Sequence, residues 1–472
     1  MPETSTQKPN IVMILSDDQG AWALGCYGNP EIQTPNLDRL ASTGVRFKNF
    51  FCTSPVCSPA RASILTGKIP SQHGIHDYLC EGNGGAGQSS ISFMSGHLAY
   101  TELLSEQGYH CGLSGKWHLG DGRHPQKDHE FWYVHQKGGG PYYHAPMIRN
   151  GELVIETEYI TDVITREALS YLDSVAGDQQ PFYLGIHYTA PHSPWIDNHP
   201  ERFTKLYQDC EFETCPQQKP HPWALTDVMP GYANPRDNLI GYFAAVTAMD
   251  EQIGLVMDKL ESKGLLANTI VCFMSDNGFN CGHHGIWGKG NGTFPLNLYD
   301  TSVKVPMILS WPGVLPSGKV VETAFSAYDF MPSLLELAGV KNPTADQLPG
   351  TSFVPELLGS QEKSDRPVVV FDEYGPVRMI RNENHKYIHR YPYGPHEFYD
   401  LVKDPDETTN LYGQAGSDGL VEQMKSQMDQ WFHRYVDPAL DGTHEGVMGG
   451  GQTDLAGLYS QGQAIYRPNT HA

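Results

Sequence analysis

The sequence predicts an α/β protein: a large, mostly parallel central sheet flanked by helices, followed by a smaller C-terminal antiparallel-sheet subdomain. Two observations carry this. Short apolar runs at 10–16, 182–186, 269–274 and 305–311 alternate with helical patterns up to residue 338, and brief, wholly apolar runs mark strands buried on both faces. Beyond residue 360, three strand-like segments follow one another at close spacing with turn residues between them, which is a meander rather than strand–helix alternation.

Each element has its local reason. Asn10–Ser16 (NIVMILS) is the first buried strand. Thr34-Pro35 supplies an N-cap and a first-turn proline for a helix whose Leu37, Leu40 and Ala41 share a face, and Gly44 ends it. Residues 159–175 repeat the helical period through Ile160, Val163, Ile164 and Leu172. Strand Phe182–Ile186, a long helix Leu239–Leu260, strands Thr269–Met274 and Val305–Trp311, and a helix at Phe330–Ala338 complete a catalytic domain over residues 1–360. The polar stretch Ser360–Pro367 reads as a linker into Val368–Phe371, Val377–Ile380 and Lys386–His389, closed by a helix at Leu420–Tyr435. These make a subdomain over 361–440. The Gly- and Gln-rich tail, 441–472, is expected to wrap the surface or to join a partner subunit as an oligomer contact.

Composition narrows the function. The 472 residues hold 49 Gly and 34 Pro, with 39% hydrophobic residues, so the chain is loop-rich yet has material for a large core. A formal charge of −22 argues against a nucleic-acid partner, because phosphate binding needs a basic footprint. No run approaches the roughly 20 apolar residues of a membrane span. The polar start MPETSTQKPN is no signal peptide, so the expected location is cytoplasmic, or periplasmic or secreted if a leader has been trimmed. Nine scattered cysteines show no CxxC pair and no zinc spacing; Cys210 and Cys215 are near enough in sequence to pair, but a bridge is not expected.

Three apolar strands run into unusual polar residues: Asp17-Asp18-Gln19-Gly20, His187 to His192, and Ser275-Asp276-Asn277-Gly278. In open α/β sheets, ligands bind beyond the carboxyl ends of strands. Asp17, Asp18, Asp276 and Asn277 are hard oxygen donors, which suit Ca²⁺, with Mg²⁺ as the alternative. Singly each reads as a turn or cap residue; together, at matching strand ends, they read as a metal site.

Cys57-Ser58-Pro59-Ala60-Arg61, continuing to Leu65-Thr66-Gly67, is the sharpest motif. With it come Pro35 to Ala41, Gly115-Lys116-Trp117-His118-Leu119-Gly120, Pro191-His192-Ser193-Pro194, Gly285-Ile286-Trp287-Gly288-Lys289, Phe398 to Leu401 and Asp404 to Glu407. In this ordered series the chain resembles the formylglycine-dependent sulfatases of the alkaline phosphatase superfamily over all but its last thirty or so residues. The resemblance implies an alkaline phosphatase-like fold and a sulfuric ester hydrolase. It implies that a maturation enzyme oxidises Cys57 to formylglycine (3-oxoalanine), whose hydrate attacks the sulfur of a sulfate ester with one hydroxyl and releases sulfate through the other. It adds Cys57 to the metal ligands, gives Arg61 the task of orienting the nucleophile, and gives Lys116 and Lys289 the sulfate oxygens. His192 would protonate the leaving oxygen and His118 would assist sulfate release.

The aromatic- and His-rich loop 121–144 and the segment holding His76 and Asp77 are the candidates for substrate recognition, and suggest a sulfated sugar or polysaccharide fragment. The alternative for the loop is that its aromatics pack the loop itself. Gly290 to Asn297 departs from the Arg- or Tyr-containing stretch common in the family, which bears on specificity rather than reaction. Two other functions fit the same motifs: a phosphonate monoester or phosphodiester hydrolase, and a non-catalytic glycan-binding homologue.

Overall fold

Five parallel strands form the centre of the sheet: β1 (Asn10–Ser16), β2 (His110–Gly115), β3 (Phe131–His135), β4 (Phe182–His187) and β5 (Thr269–Ser275), in the order β5-β1-β4-β2-β3. The computed structural model describes residues 8–84, 90–227, 230–359, 370–460 and 462–468. The whole linker reading and the first two residues of the 368–371 strand reading lie outside them. Every residue of β1 is buried: Ile11, Met13 and Leu15 face one hydrophobic core, Val12 and Ile14 the other. Side chains alternate across a strand, so a strand covered on both faces must be apolar throughout. The register sets Ser16 opposite Ser275, and Leu15 and Gly115 opposite His187. The carboxyl ends of four strands are therefore level.

The outer strands run antiparallel to their neighbours, except that Lys319–Ser326 and Val45–Phe51 pair in parallel. Ala145–Arg149 and Glu152–Glu156 extend the sheet beyond β3 as an antiparallel hairpin. On the other side Met307–Ser310 runs antiparallel to β5 and pairs with Val45–Phe51; Lys304–Val305 and Lys319–Ser326 also pair with Val45–Phe51. After β5 the chain stays at the carboxyl rim, where it delivers Asn277 and Lys289, so the next strand sets out from that rim and must run back. The sequence run at 305–311 gave the strand without its direction.

Among the described residues, six helices of eight residues or more surround the sheets: α1 (Pro35–Thr43), α2 (Cys57–Thr66), α3 (Ile160–Val175), α4 (Pro235–Ser262), α5 (Phe330–Leu337) and α6 (Asp418–Tyr435). Leu37, Leu40 and Ala41 are the buried face of α1. Its first turn is capped from another element: the Thr34 side chain makes no cap bond, and Asn36 N and Leu37 N donate to the Asp250 carboxylate of α4 at 3.0 and 2.8 Å. By length and composition α4 could cross a membrane, but it packs against α1 and α3 inside the second core. Cys210 and Cys215 are both free thiols.

The C-terminal meander has four strands, Val370–Tyr374, Val377–Arg381, His385–Arg390 and Glu397–Asp400, all antiparallel. Met424, Met428 and Phe432 of α6 pack on Ile380, Tyr387 and Phe398. This sheet is tied to the main body by buried ions. Lys386, wholly buried, lies 2.9 Å from Asp300 Oδ1 and 2.6 Å from Glu407 Oε1. The described tail residues fold back on the chain itself: Gly451 N donates to Asp77 Oδ2 at 2.9 Å, the Tyr78 hydroxyl donates to Gly450 O at 2.9 Å, and Gln452 bridges to Leu79.

Lys386→Met is expected to destabilise the protein by about 3–5 kcal/mol, because Glu407 loses its buried counter-ion and Asp300 keeps only Arg381. Urea unfolding followed by circular dichroism reads this as a lowered midpoint; an unchanged midpoint would show that the join does not depend on the ion pair.

Candidate active site

The level strand ends place Asp17 and Asp18 after β1, Lys116 after β2 and Asp276 after β5 at one point. One carboxylate oxygen from each of Asp17, Asp18 and Asp276 lies within 4.8 Å of the others, and all three residues are buried. Like charges this close, out of water, require compensation. Three cations come from three other segments. Arg61 Nε donates to Asp276 Oδ2 at 2.9 Å, the Lys116 ammonium contacts Asp17, and the Lys289 ammonium contacts Asp18. Burial raises the Asp17 carboxyl, but Lys116, His192, Arg61 and Lys289 outweigh it and hold Asp17 well below the usual carboxylate range. Burial, and then Asp17, push Asp276 up to about 6.

Asn277 donates from Nδ2 to Asp18 Oδ1 at 2.8 Å, while its Oδ1 is buried with no hydrogen-bond partner. An orphaned amide oxygen beside three carboxylates is the donor set of a hard divalent cation. The residues present fit such an ion.

Cys57 is the first residue of α2, whose ten residues are all buried. A helix N-terminus carries unpaired N–H groups and partial positive charge, so it favours an anion. The Cys57 Sγ donates to Asp17 Oδ1 at 3.3 Å and lies 2.7 Å from Lys289 Nζ. Burial and then Asp17 push its thiol up to about 12. A cysteine nucleophile works as thiolate, and these surroundings by themselves favour the thiol.

Two histidines stand over Cys57, each with its tautomer fixed by a carbonyl, which can only accept. His192 Nδ1 donates to Ser193 O at 2.7 Å, leaving Nε2 3.7 Å from Asp18 Oδ2. His118 Nε2 donates to Leu79 O at 3.0 Å, and its Nδ1 is buried without a partner. Burial, then Lys116 and Arg61, hold His118 well below the ordinary histidine value, so its ring is neutral. Asp18 and His118 both have left-handed backbones, at φ 63 and 57, conformations that non-glycine residues hold only when their surroundings over-determine them.

Above Cys57 opens a cavity of about 420 Å³, within the range of small-molecule sites. Trp195, Phe279 and Trp287 wall it, and Tyr78, Asn83 and Asn291 also line it. Of the residues expected at the site, ten come together here. His76 and Asp77 do not: both are fully buried beneath the tail, where Asp77 accepts from Tyr374 OH at 2.7 Å and from Gly451 N. Their neighbours Tyr78 and Leu79 reach the cavity instead. The aromatics of loop 121–144 pack the loop and its surroundings. Trp132 donates to Gly122 O, and Tyr142 is buried and donates to His192 O. What that loop brings to the cavity is Lys137, Gly138 and Gly139, which carry no aromatic signal.

Residues 9–340 match the sulfatase family profile, and residues 282–434 match that of the N-sulphoglucosamine sulphohydrolase C-terminal region. The chain belongs to the sulfatase family. It is 30% identical over 447 residues to an ulvan-active sulfatase of Formosa agariphila, covering 90% of this chain and 81% of that one. It is 27% identical over 508 residues to an N-acetylglucosamine-6-O-sulfatase of Bacteroides thetaiotaomicron, covering 92% and 88%. A solved structure of a protein in complex with its substrate D-glucosamine-2-N,6-O-disulfate superposes with a TM-score of 0.79 at 25% identity, over 93% of this chain and all of that one. The phosphonate monoester hydrolase of Agrobacterium radiobacter shares the fold, with a TM-score of 0.69 at 19% identity over 91% and 96%. This sulfatase is a sulfuric ester hydrolase.

In this sulfatase a Cβ on Gly138 would fall 1.8 Å from His118 Nε2. Gly138→Ala is therefore expected to displace the His118 ring or the loop and to lower kcat/KM on an aryl sulfate by about 10²-fold, with the melting temperature little changed. Undiminished turnover would show that the ring and loop yield freely.

Proposed function

We propose that this sulfatase removes a sulfate ester from a saccharide, with Cys57 acting after oxidation to formylglycine and with Ca²⁺ held by Asp17, Asp18, Asp276 and Asn277. The observation that carries the reading is the meeting of Cys57, three carboxylates, three fixed cations and two histidines at and just behind the wall of one aromatic-lined cavity. Aromatic faces beside polar groups suit a sugar ring, and several relatives, among them an N-acetylgalactosamine-6-sulfatase of Mus musculus at 31% identity, carry sugar sulfates in their names.

A conversion is needed because the attacking group must afterwards let sulfate go, which a lone thiol or hydroxyl does not do. The oxidised side chain, made by a maturation enzyme, supplies a hydrated aldehyde able both to attack sulfur and to let sulfate go. The cation supplies Lewis-acid polarisation of a sulfate oxygen. Three carboxylates oppose Arg61, Lys116 and Lys289, so a divalent ion leaves the floor net positive, the sign that a sulfate and its developing charge require. Arg61, bonded to Asp276 and to Lys116 O, fixes the wall behind Cys57. Lys289 lines the cavity and would meet a sulfate oxygen, while Lys116, buried against Asp17 behind the lining, adds positive charge there. His192, with Nδ1–H committed to a carbonyl and Nε2 facing Asp18, takes a second proton on Nε2 and, as the imidazolium, gives it to the departing oxygen. His118, with Nε2 committed and Nδ1 free and neutral, is the base for sulfate release.

Three outcomes test this. Cys57→Ser is expected to fold and to lose turnover by on the order of 10³-fold or more. The Cys57 peptide of active protein should carry an aldehyde by mass; a thiol in fully active enzyme would overturn the conversion. Initial rates on matched aryl sulfate, phosphate and phosphonate esters should favour sulfate; a phosphonate preference would instead support the hydrolase of phosphorus esters.

Metal binding has its own readout. Ca²⁺ at about 100 times its Kd should stabilise chelator-treated protein by about 2.7 kcal/mol, seen as a rise in melting temperature. Asp18→Asn, which tolerates the left-handed backbone, should abolish that rise; a rise of equal size in the variant would place the ion elsewhere.

A further inference from the structure

The catalytic floor does not explain Lys137. Two lysines line the cavity. Lys289 is paired with Asp18; Lys137 is exposed and, among the described residues, has neither an ion pair nor a hydrogen bond. Its position is nonetheless fixed. Gly138 follows it so closely packed on the His118 ring that a Cβ would overlap Nε2, and a Cβ on Gly139 would sit 3.5 Å from His192 Cε1. The backbone after Lys137 thus lies against both catalytic histidines, and consecutive Cα atoms are about 3.8 Å apart. Lys137 stands at the mouth, one residue from the reacting centre. Asp18 is the single acid among the lining residues, and it is at the floor. Among the half-buried lining residues, Tyr78, Ser193 and Asn291 are neutral. In a chain of net charge −22, an unpaired cation facing a neutral rim is a place for an anion.

We propose that Lys137 determines specificity: the saccharide carries a second anionic group, a carboxylate or a further sulfate, which Lys137 meets at the mouth while the scissile sulfate sits on the floor. This rests on the saccharide reading above. A charge-assisted hydrogen bond contributes about 1.5–3 kcal/mol, which is about tenfold or more in kcat/KM.

The test uses matured, Ca²⁺-loaded enzyme and substrate pairs that differ only in the second anion. One pair is a monosulfated sugar and the same sugar with a second sulfate. The other is a sulfated disaccharide containing a uronate and its carboxyl-reduced counterpart. Sulfate release gives the ratio of kcat/KM within each pair. Wild type should favour the doubly anionic member by about tenfold or more in at least one pair, Lys137→Met should bring that ratio to about one, and Lys137→Arg should keep most of it. Loss confined to the first pair assigns the contact to sulfate, and loss confined to the second assigns it to carboxylate. A ratio unchanged in Lys137→Met, or a wild type indifferent to the second anion in both pairs, overturns the proposal. If 4-nitrophenyl sulfate is cleaved but no saccharide is, the saccharide reading itself fails.

Discussion

Three carboxylates buried within 4.8 Å of one another are the constraint around which this molecule is organised. Left alone, Asp17, Asp18 and Asp276 would repel in a medium where water cannot screen them. The compensating cations come from separate parts of the chain: Arg61 from α2, Lys116 from the end of β2, Lys289 from the rim segment after β5. Each ion pair therefore also fixes one segment against another. The parallel sheet supplies the level strand ends, and the charges lock what the sheet brings together.

The same arrangement serves the chemistry. A site that was merely neutral would hold itself together and bind nothing charged. Here neutrality is reached with cations that point inward, and an amide oxygen of Asn277 remains free for an ion. Cys57 enters this field at the N-terminus of a wholly buried helix, so the side chain that must contact an oxyanion has oriented N–H groups behind it.

How much of this was legible in the sequence depends on how local each signal is. β1, α3, β4 and β5 were legible because a strand or helix buried by its own period writes that period into consecutive residues. The metal residues and Cys57 were legible because strand ends and a helix start place them in short motifs. Val45–Phe51 was not: Lys48 is exposed and Arg46 and Asn49 are half-buried, so no apolar run marks it. Glu397–Asp400 was seen as a motif and not as a strand, since its four residues are too few to show a period. His76 and Asp77 lay in the right segment but on the wrong side of it. The tail pairs with Leu79 through Gln452, which buries one side and turns Tyr78 to the cavity. Nothing in residues 76–80 announces a partner nearly four hundred positions away.

The cavity walls were illegible for a related reason. Trp195, Phe279 and Trp287 look in the sequence like ordinary core aromatics, and each is largely buried; only the tertiary arrangement leaves their faces lining a space. Lys137 is less legible still, because a lone lysine beside three glycines reads as a turn. Yet those glycines are what allow the backbone to lie on His118, and so carry a cation to the mouth. The floor is thus built from charges that must balance, and few substitutions there preserve the balance. The mouth is built from loop positions whose identity the fold does not dictate. Reaction and specificity are therefore separable in this molecule: the first is fixed by electrostatics at the strand ends, the second by what a glycine-pinned loop happens to present.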